Sequence, residues 1–252
     1  MSLPLVSIIT PTKNNARTIS DTLYSIKNQS YKNIEHIIID GLSSDQTLQI
    51  TSKINTPLQK IIAEKDEGLY DAINKGISHA SGEIIGILHA DDFFTDNSAI
   101  EKIVTKIQSG YDGVYANLFY VDKNNTKKIV RKWKAKDYQT SSFLYGWMPP
   151  HPTCYVKKTI YEKFGTYRID CGTAADYEWI LRVMYKNKIT FGYVPNFLVA
   201  MRVGGVSNQS LLNRINANKN DRKAWIVNNI SPYFFTFWLK PLRKIGQFLN
   251  LF

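Results

Sequence analysis

Across its first hundred residues the chain alternates between two hydrophobic rhythms. Short β-branched runs at 5–10, 34–39, 58–63 and 83–88 are almost continuously apolar, which suits strands buried on both faces. Between them, 16–28 (Ile19, Leu23, Ile26), 44–53 (Leu48, Ile50) and 68–79 (Leu69, Ala72, Ile73, Ile77) carry apolar residues at helical spacing. This βαβαβαβ order predicts a parallel sheet covered by helices, with ligands at the carboxyl ends of the strands. Ser43 or Ser44, and Asn97 at the start of a helix over 97–109, are the expected caps of the helices after the second and fourth strands.

After residue 110 the pattern is less regular. Runs at 113–121 and 126–133 flank Asp122-Lys-Asn-Asn125 and predict a hairpin with a polar turn. The loop Tyr145-Gly-Trp-Met-Pro-Pro-His-Pro152 follows, then a strand at 153–156, a helix stopped by Gly165, a helix over 174–186, and strands near 188–194 and 197–203. The second half therefore adds a mixed sheet edge to the first.

The chain's 252 residues, 44% of them hydrophobic, suffice for one body with a substantial core or two small ones sharing a cleft. Its net charge of +11 points to an anionic partner: nucleic acid, lipid surface or phosphorylated ligand. That charge is local. Residues 120–140 sum to +5 and residues 209–252 to +6, leaving the rest neutral. Cys154 and Cys171 are the only cysteines and show no metal-ligand spacing, so neither a zinc site nor a disulfide scaffold is expected. Residues 1–10 lack the pattern of a secretory leader, and the longest apolar-rich stretch, 233–239, falls far short of the ~20 residues of a spanning helix. A soluble or peripheral protein in a reducing cytoplasm is the expectation.

Three of the four predicted strand ends deliver carboxylates to one rim: Asp40-Gly41, Asp66 before Gly68, and Asp91-Asp92. Adjacent buried carboxylates repel unless a cation or a proton relieves them, so Asp91-Asp92 is either a hard-metal site or a cap of the helix that follows. Asp40-Gly41 and Asp66-x-Gly68 read as turns or as contacts to a base or ribose. The loop Thr10-Pro-Thr-Lys-Asn-Asn15 lacks the glycines of dinucleotide or P-loop sites.

Six ordered blocks carry a resemblance: Leu5-Val-Ser-Ile-Ile-Thr-Pro-Thr12, Ile37-Ile-Ile-Asp-Gly-Leu-Ser-Ser-Asp-Gln-Thr47, Glu64-Lys-Asp-Glu-Gly-Leu-Tyr-Asp-Ala-Ile-Asn-Lys-Gly76, Ala80-Ser-Gly-Glu83, Leu88-His-Ala-Asp-Asp92 and Ala174-Ala-Asp-Tyr177. In order and spacing they resemble family 2 glycosyltransferases, more narrowly the bacterial branch that assembles O-antigen and exopolysaccharide, over residues 4–207. The resemblance implies an α/β GT-A fold: a Rossmann-like nucleotide-binding half (about 1–117) with mixed sheet and an acceptor-binding half (about 118–208); beyond it the basic, amphipathic pattern of 209–252 reads as a C-terminal helical extension. It implies an inverting, metal-dependent transferase. Asp92 would hold Mn²⁺ or Mg²⁺, Asp91 would face the ribose or the ion, and Thr10, Pro11, Thr12, Asp40, Asp66 and Lys75 would surround a nucleotide-sugar donor, UDP by default. Asp176 would be the base.

There are departures. Ala175 stands where many members have Glu, and His89 where the branch often has Asn. The absence of Gln-x-x-Arg-Trp after Asp176 disfavours a processive synthase. Gly204-Gly-Val-Ser207 matches a block of the branch and reads as a loop over the donor or a tight turn. Trp147 and His151 read as acceptor-sugar contacts or as filler between the halves. The stripe Leu242, Ile245, Phe248, Leu249, Phe252, with Lys240, Arg243 and Lys244 off it, reads as an interfacial helix on an anionic membrane, or as a helix docked on the enzyme or on a homodimer partner. The acceptor implied is a polyprenyl-diphosphate-linked saccharide at the cytoplasmic membrane face. The competing readings are a nucleic-acid-binding module, for which no specific site is found, and a non-catalytic transferase-like partner.

Overall fold

In the computed structural model, residues 3–204 and 211–249 are described, with the side chains of 211–218, 244–246 and 248–249 outside that description. Four strands form the first half: β1 (Val6–Thr12), β2 (Ile34–Asp40), β3 (Lys60–Ala63) and β4 (Ile84–Ile87). They pair in parallel, β1 with β2 and β4, and β2 with β3. Helices α1 (Ile19–Lys27), α2 (Thr47–Lys53) and α3 (Leu69–His79) make the crossovers.

The near-continuous apolarity follows from coverage of both faces. Ile9, Ile37, Ile39, Ile85 and Ile87 pack with Ile73 and Ile77 of α3, whereas their strand neighbours Val6, Ile8, Ile34, Ile84 and Leu88 pack with Ile26 of α1 and with α4 (Ala99–Gln108). β3 departs from the expectation. It lies at the sheet edge, half open to solvent, because an apolar run does not distinguish an edge strand from a central one.

The sheet continues through β5 (Phe93–Phe94), β6 (Gly113–Val121), β7 (Ile129–Trp133), β8 (Tyr155–Lys157) and β9 (Phe191–Arg202), in the order β3-β2-β1-β4-β8-β6-β9-β5, with β7 beside β6. β8 reverses direction against both β4 and β6, and β6 runs parallel to β9. A Cβ at Gly86 would overlap the ring of Tyr155 on β8, so the bare backbone there permits this junction between the halves. The predicted hairpin is present as β6 and β7. The two strands expected after residue 188 are one. Asn117 bridges the irregularity at Pro195, donating to its carbonyl (3.0 Å) while accepting from Ala135 N–H (2.8 Å) and the Tyr193 hydroxyl (2.7 Å).

The helix caps differ from expectation. Asp45 Oδ1 accepts from Thr47 N–H (2.9 Å), and Asp96 Oδ1 accepts from Ser98 N–H (2.7 Å). In each case a carboxylate two residues upstream replaces the expected Ser or Asn. Helices α5 (Lys158–Phe164) and α6 (Ala175–Ile180) follow β8, and α6 widens into a π-helical turn over Leu181–Lys186.

The C-terminal segment packs on the second half. α7 (Leu211–Val227) lies on α6, with Trp225 Nε1 donating to the Tyr177 hydroxyl (3.0 Å) and Asn228 to Glu178 (3.1 Å). α8 (Thr236–Leu249) lies against β7 and the short 3-10 turn Thr140–Tyr145, through Thr236 to the Leu144 carbonyl (2.6 Å) and Arg131 Nε to Gln247 (2.6 Å). Of the predicted stripe, Leu242 is exposed, while Ile245, Phe248, Leu249 and Phe252 lie outside the described side chains.

Candidate active site

The order β3-β2-β1-β4 places a topological switch between β1 and its two neighbours, with the four carboxyl ends on one rim. Thr12 pairs with Asp40; Gly41 N–H donates to the Thr12 carbonyl (2.9 Å) and Glu64 N–H to the Asp40 carbonyl (3.0 Å), tying three strand ends together. Asp40 is fully buried. Its Oδ1 accepts from Ser43 N–H (2.7 Å) and its Oδ2 from the Ser43 hydroxyl (2.6 Å). Asp66 Oδ1 accepts from Gly68 N–H (3.0 Å), and its other oxygen lies where a Cβ on Gly41 would be, so a side chain at 41 would displace the Asp66 carboxylate.

Pro11 and Thr12 reach this rim, and Thr12 donates to Asn15 (3.2 Å). The Thr10 side chain does not join them. Its hydroxyl is 2.9 Å from His36 Nε2, and His36 Nδ1 is 2.8 Å from the Thr56 hydroxyl, a network inside the layer. Burial pushes His36 down to about 3. Lys75 on α3 is held over the β3–α3 loop by the Lys65 carbonyl (2.5 Å), Asp71 (3.2 Å) and Glu64 (3.5 Å).

The end of β4 is different. Asp92 N–H closes a turn on the His89 carbonyl (3.0 Å), bringing one donor atom each of His89, Asp91 and Asp92 within 4.8 Å of one another. Asp92 is fully buried, yet neither carboxylate oxygen meets a donor at hydrogen-bond geometry, and His89 Nε2 is equally without a partner. Burial, reinforced by Asp91, holds Asp92 well above the usual carboxylate range; the charge and backbone N–H of Arg202 offset this only in part. Burial also lowers His89, against the opposing pull of Asp91 and Asp176. Two unbonded carboxylate oxygens and an unbonded imidazole nitrogen form an oxygen-rich donor set that fits Mn²⁺ or Mg²⁺. Neither Asp91 nor Asp92 caps α4.

Arg202, at the end of β9, went unnoticed in the sequence. It is buried, donates to the Asp91 carbonyl (2.5 Å), ion-pairs with Asp21 and lies over the Phe93 ring (5.2 Å). It braces the Asp91-Asp92 turn from 111 residues away, and no local pattern announces such a contact.

Asp176 opens α6. Its Oδ1 accepts from Tyr177 N–H (2.7 Å) and its carboxylate also bonds the Tyr70 hydroxyl. Burial raises it above the usual carboxylate range, opposed by Lys240, Tyr177 N–H, Tyr70 and His89. His89 is thus within electrostatic reach of both Asp91 and Asp176, which links the two clusters. His151 is buried 6.2 Å from His89, ring to ring, with Nε2 2.8 Å from the Tyr167 hydroxyl. Trp147 is 7% exposed, stacked on Tyr138 and edge-on to Tyr115 and Phe143, and its Nε1 donates to the Ala135 carbonyl (2.7 Å). These two side chains fill the space between the halves and offer no open surface to an acceptor sugar. Gly204 closes β9 at φ +107°, and the remainder of Gly204-Gly-Val-Ser207 lies outside the described residues.

The sequence pattern of glycosyl transferase family 2 matches residues 7–175. An uncharacterized glycosyltransferase of Mycobacterium tuberculosis is 32% identical over 183 residues, 72% of this chain and 69% of that protein. Staphylococcus aureus TarS 1–349, solved in complex with UDP-GlcNAc, superposes with a TM-score of 0.74 at 18% identity, covering 98% of this chain and 72% of that one. The mannosyltransferase PcManGT from Pyrobaculum calidifontis, solved with GDP-Man and Mn²⁺, gives 0.66 at 17% identity, covering 100% and 71%. With more than half of its length matched by the family pattern and its whole fold superposing on solved glycosyltransferases, the chain belongs to glycosyl transferase family 2 and has the GT-A fold.

Proposed function

We propose that this glycosyltransferase moves one sugar from a nucleotide-diphosphate sugar, UDP in the first instance, to a polyprenyl-diphosphate-linked saccharide with inversion, in the assembly of a bacterial surface polysaccharide of the O-antigen or capsule type. The observation that carries the reading is Asp92: a fully buried carboxylate with both oxygens unbonded, beside Asp91 and His89. A divalent ion held there would act as a Lewis acid on the departing nucleoside diphosphate. Thr12, Asp40, Asp66 and Lys75 border the same rim and are the residues we assign to the nucleotide. UDP-GlcNAc in TarS and GDP-Man with Mn²⁺ in PcManGT support this donor class.

Asp176 takes the proton of the acceptor hydroxyl. A sugar hydroxyl is a poor nucleophile at neutral pH, and a carboxylate raised by burial is a better base than an exposed one. Tyr70 and the Tyr177 N–H fix its orientation. A single displacement between this base and the leaving diphosphate inverts the anomeric centre.

Work at the inner face of an anionic cytoplasmic membrane is supported by the outer side of the C-terminal segment. Phe234 (89% exposed), Trp238 (71%) and Leu242 (57%) recur every fourth residue beside exposed Arg243. Among the described residues no helix is long and apolar enough to cross a membrane. Association of the full chain with phosphatidylglycerol vesicles should fall when Phe234 and Trp238 are changed to Ser. A variant that binds vesicles unchanged but loses a dimer would assign the face to a second copy instead.

The direct test of function is a thermal-shift panel of nucleotide sugars with and without Mn²⁺. A donor at 100 times its Kd adds about 2.7 kcal/mol of stability. Asp176→Asn should keep that shift and lose transfer by roughly 10²–10⁴-fold. No shift with any nucleotide sugar, or full transfer by Asp176→Asn, overturns the reading.

A further inference from the structure

α8 does more than close the second half. Lys240, on its inner side, sits with Nζ 3.5 Å from the centre of the Tyr177 ring and 2.7 Å from Asp221 Oδ2 on α7, and its side chain is mostly buried. Tyr177 is the residue whose N–H holds Asp176, and its hydroxyl is in turn held by Trp225 of α7. The turn of chain that carries Asp176 is therefore gripped from the C-terminal side by both helices. This grip comes from beyond residue 175, where the family pattern ends.

We propose that Lys240 is a positioning residue for Asp176: through Tyr177 and Asp221 it fixes the first turn of α6, and its ammonium balances the carboxylate there. The C-terminal helices are then part of the catalytic centre and not only a docking appendage. The inference rests on the assignment of Asp176 as the base.

The groups around Asp176 define what Lys240 does. Tyr70 from α3 and Tyr177 N–H bond the carboxylate, and His89 beyond β4 and Lys240 from α8 act on it by charge. Cys154, Tyr167 and Tyr120 lie within its field, and Asp221 acts on Tyr70. Lys240 stands second only to burial in its effect on this carboxylate, and the two act in opposite directions. Lys240 is therefore the principal side-chain cation favouring the ionised form. Such a partly desolvated pair is weakly screened by salt.

The test reads Asp176 directly. The full chain labelled with ¹³C at aspartate carboxyls is titrated by NMR, with the Asp176 signal assigned by its loss in Asp176→Asn. Lys240→Met should move the Asp176 midpoint to higher pH and Lys240→Arg should leave it in place. With the donor found by thermal shift, the acid limb of kcat should move the same way, so that Lys240→Met loses about tenfold more activity below the limb than above it for each pH unit moved. KM for the donor should not change. A purely structural role would lower activity equally at all pH values. If Lys240→Met does not fold, Lys240→Gln carries the same expectation. An unmoved Asp176 midpoint overturns the proposal even if Asp176 is essential, whereas a moved midpoint with an active Asp176→Asn overturns the base assignment and leaves the coupling standing.

Discussion

β2 and β4 flank β1, and each is associated with one histidine and one fully buried aspartate, His36 early in β2 with Asp40 at its end, and His89 with Asp92 in the turn after β4, yet the two pairs have opposite fates. On β2, His36 has a threonine hydroxyl on each ring nitrogen, and both oxygens of Asp40 are taken by Ser43. After β4, His89 Nε2 and both oxygens of Asp92 have no partner at hydrogen-bond geometry. The residue types are alike and both aspartates are fully buried; satisfaction is not alike. A buried polar group completed by its own chain is architecture, and one left incomplete costs stability unless something else completes it. The β4 end therefore has the chemistry of a ligand site, and the β2 end forms the wall beside it.

The comparison is broken most severely at Asp92. Asp92→Ala should abolish Mn²⁺-dependent nucleotide binding by calorimetry while the metal-free protein loses little stability in denaturant, because neither carboxylate oxygen meets a donor at hydrogen-bond geometry and only the pull of Arg202 is lost. A large loss of metal-free stability would mean that Asp92 is as structural as Asp40.

The next effect is in pH. His36 is held at about 3 when folded against an ordinary value of 6.5, so the unfolded chain takes up a proton between these values and the folded one does not. Stability present above pH 6.5 is lost as pH falls towards 3, by up to roughly 5 kcal/mol. Urea titrations at pH 7 and pH 5 should show roughly 2 kcal/mol of that loss, and His36→Gln should flatten it. An unchanged slope in the variant would place the acid sensitivity elsewhere, with His151 the first candidate, since it too is pushed down to about 3 by burial and the nearby His89.

Asp40→Ala should cost about 1–3 kcal/mol, since it orphans the Ser43 groups and the buried turn against Asp66. Ser43→Ala should cost only about 1 kcal/mol, because it removes one hydroxyl and leaves the backbone donor in place. Both are read as midpoint shifts in denaturant at constant slope, and a reversal of their order would mean that Asp40 is not stabilised chiefly by its own turn.

Much of the frame was legible in the hydrophobic rhythm. Strands β1, β2 and β4, the crossover helices and the β6–β7 hairpin stand where periodicity predicts them, because burial on both faces, or on one stripe, writes itself locally. β3 misled for the reason that also hid its exposure: position in the sheet is a property of neighbours. Strand-end carboxylates could be found in the chain, but whether each was completed could not. Ser43 answers Asp40 from three residues away, whereas the brace on Asp91 comes from Arg202, and the cation that acts on Asp176 by charge is Lys240. Thr10 illustrates the same limit, since alternation within β1 turns its hydroxyl towards His36.

The two basic stretches that account for the +11 are not wholly free for docking: Arg131 bonds Gln247 and stacks on Tyr120 at 4.4 Å, and Lys240 pairs with Asp221. Part of the excess serves to fasten the C-terminal helices to the body. Among the described side chains of α8, Trp238 and Leu242 face outward, with Arg243 beside them.

The central claim is that His89, Asp91 and Asp92 hold a divalent ion for the donor diphosphate. Its most direct test is Mn²⁺ binding to the full chain in the presence of UDP, followed by the loss of the free-ion electron paramagnetic resonance signal. The account predicts a single tightly bound Mn²⁺ in the parent protein and none in Asp92→Ala; equal Mn²⁺ binding by the two proteins would contradict it.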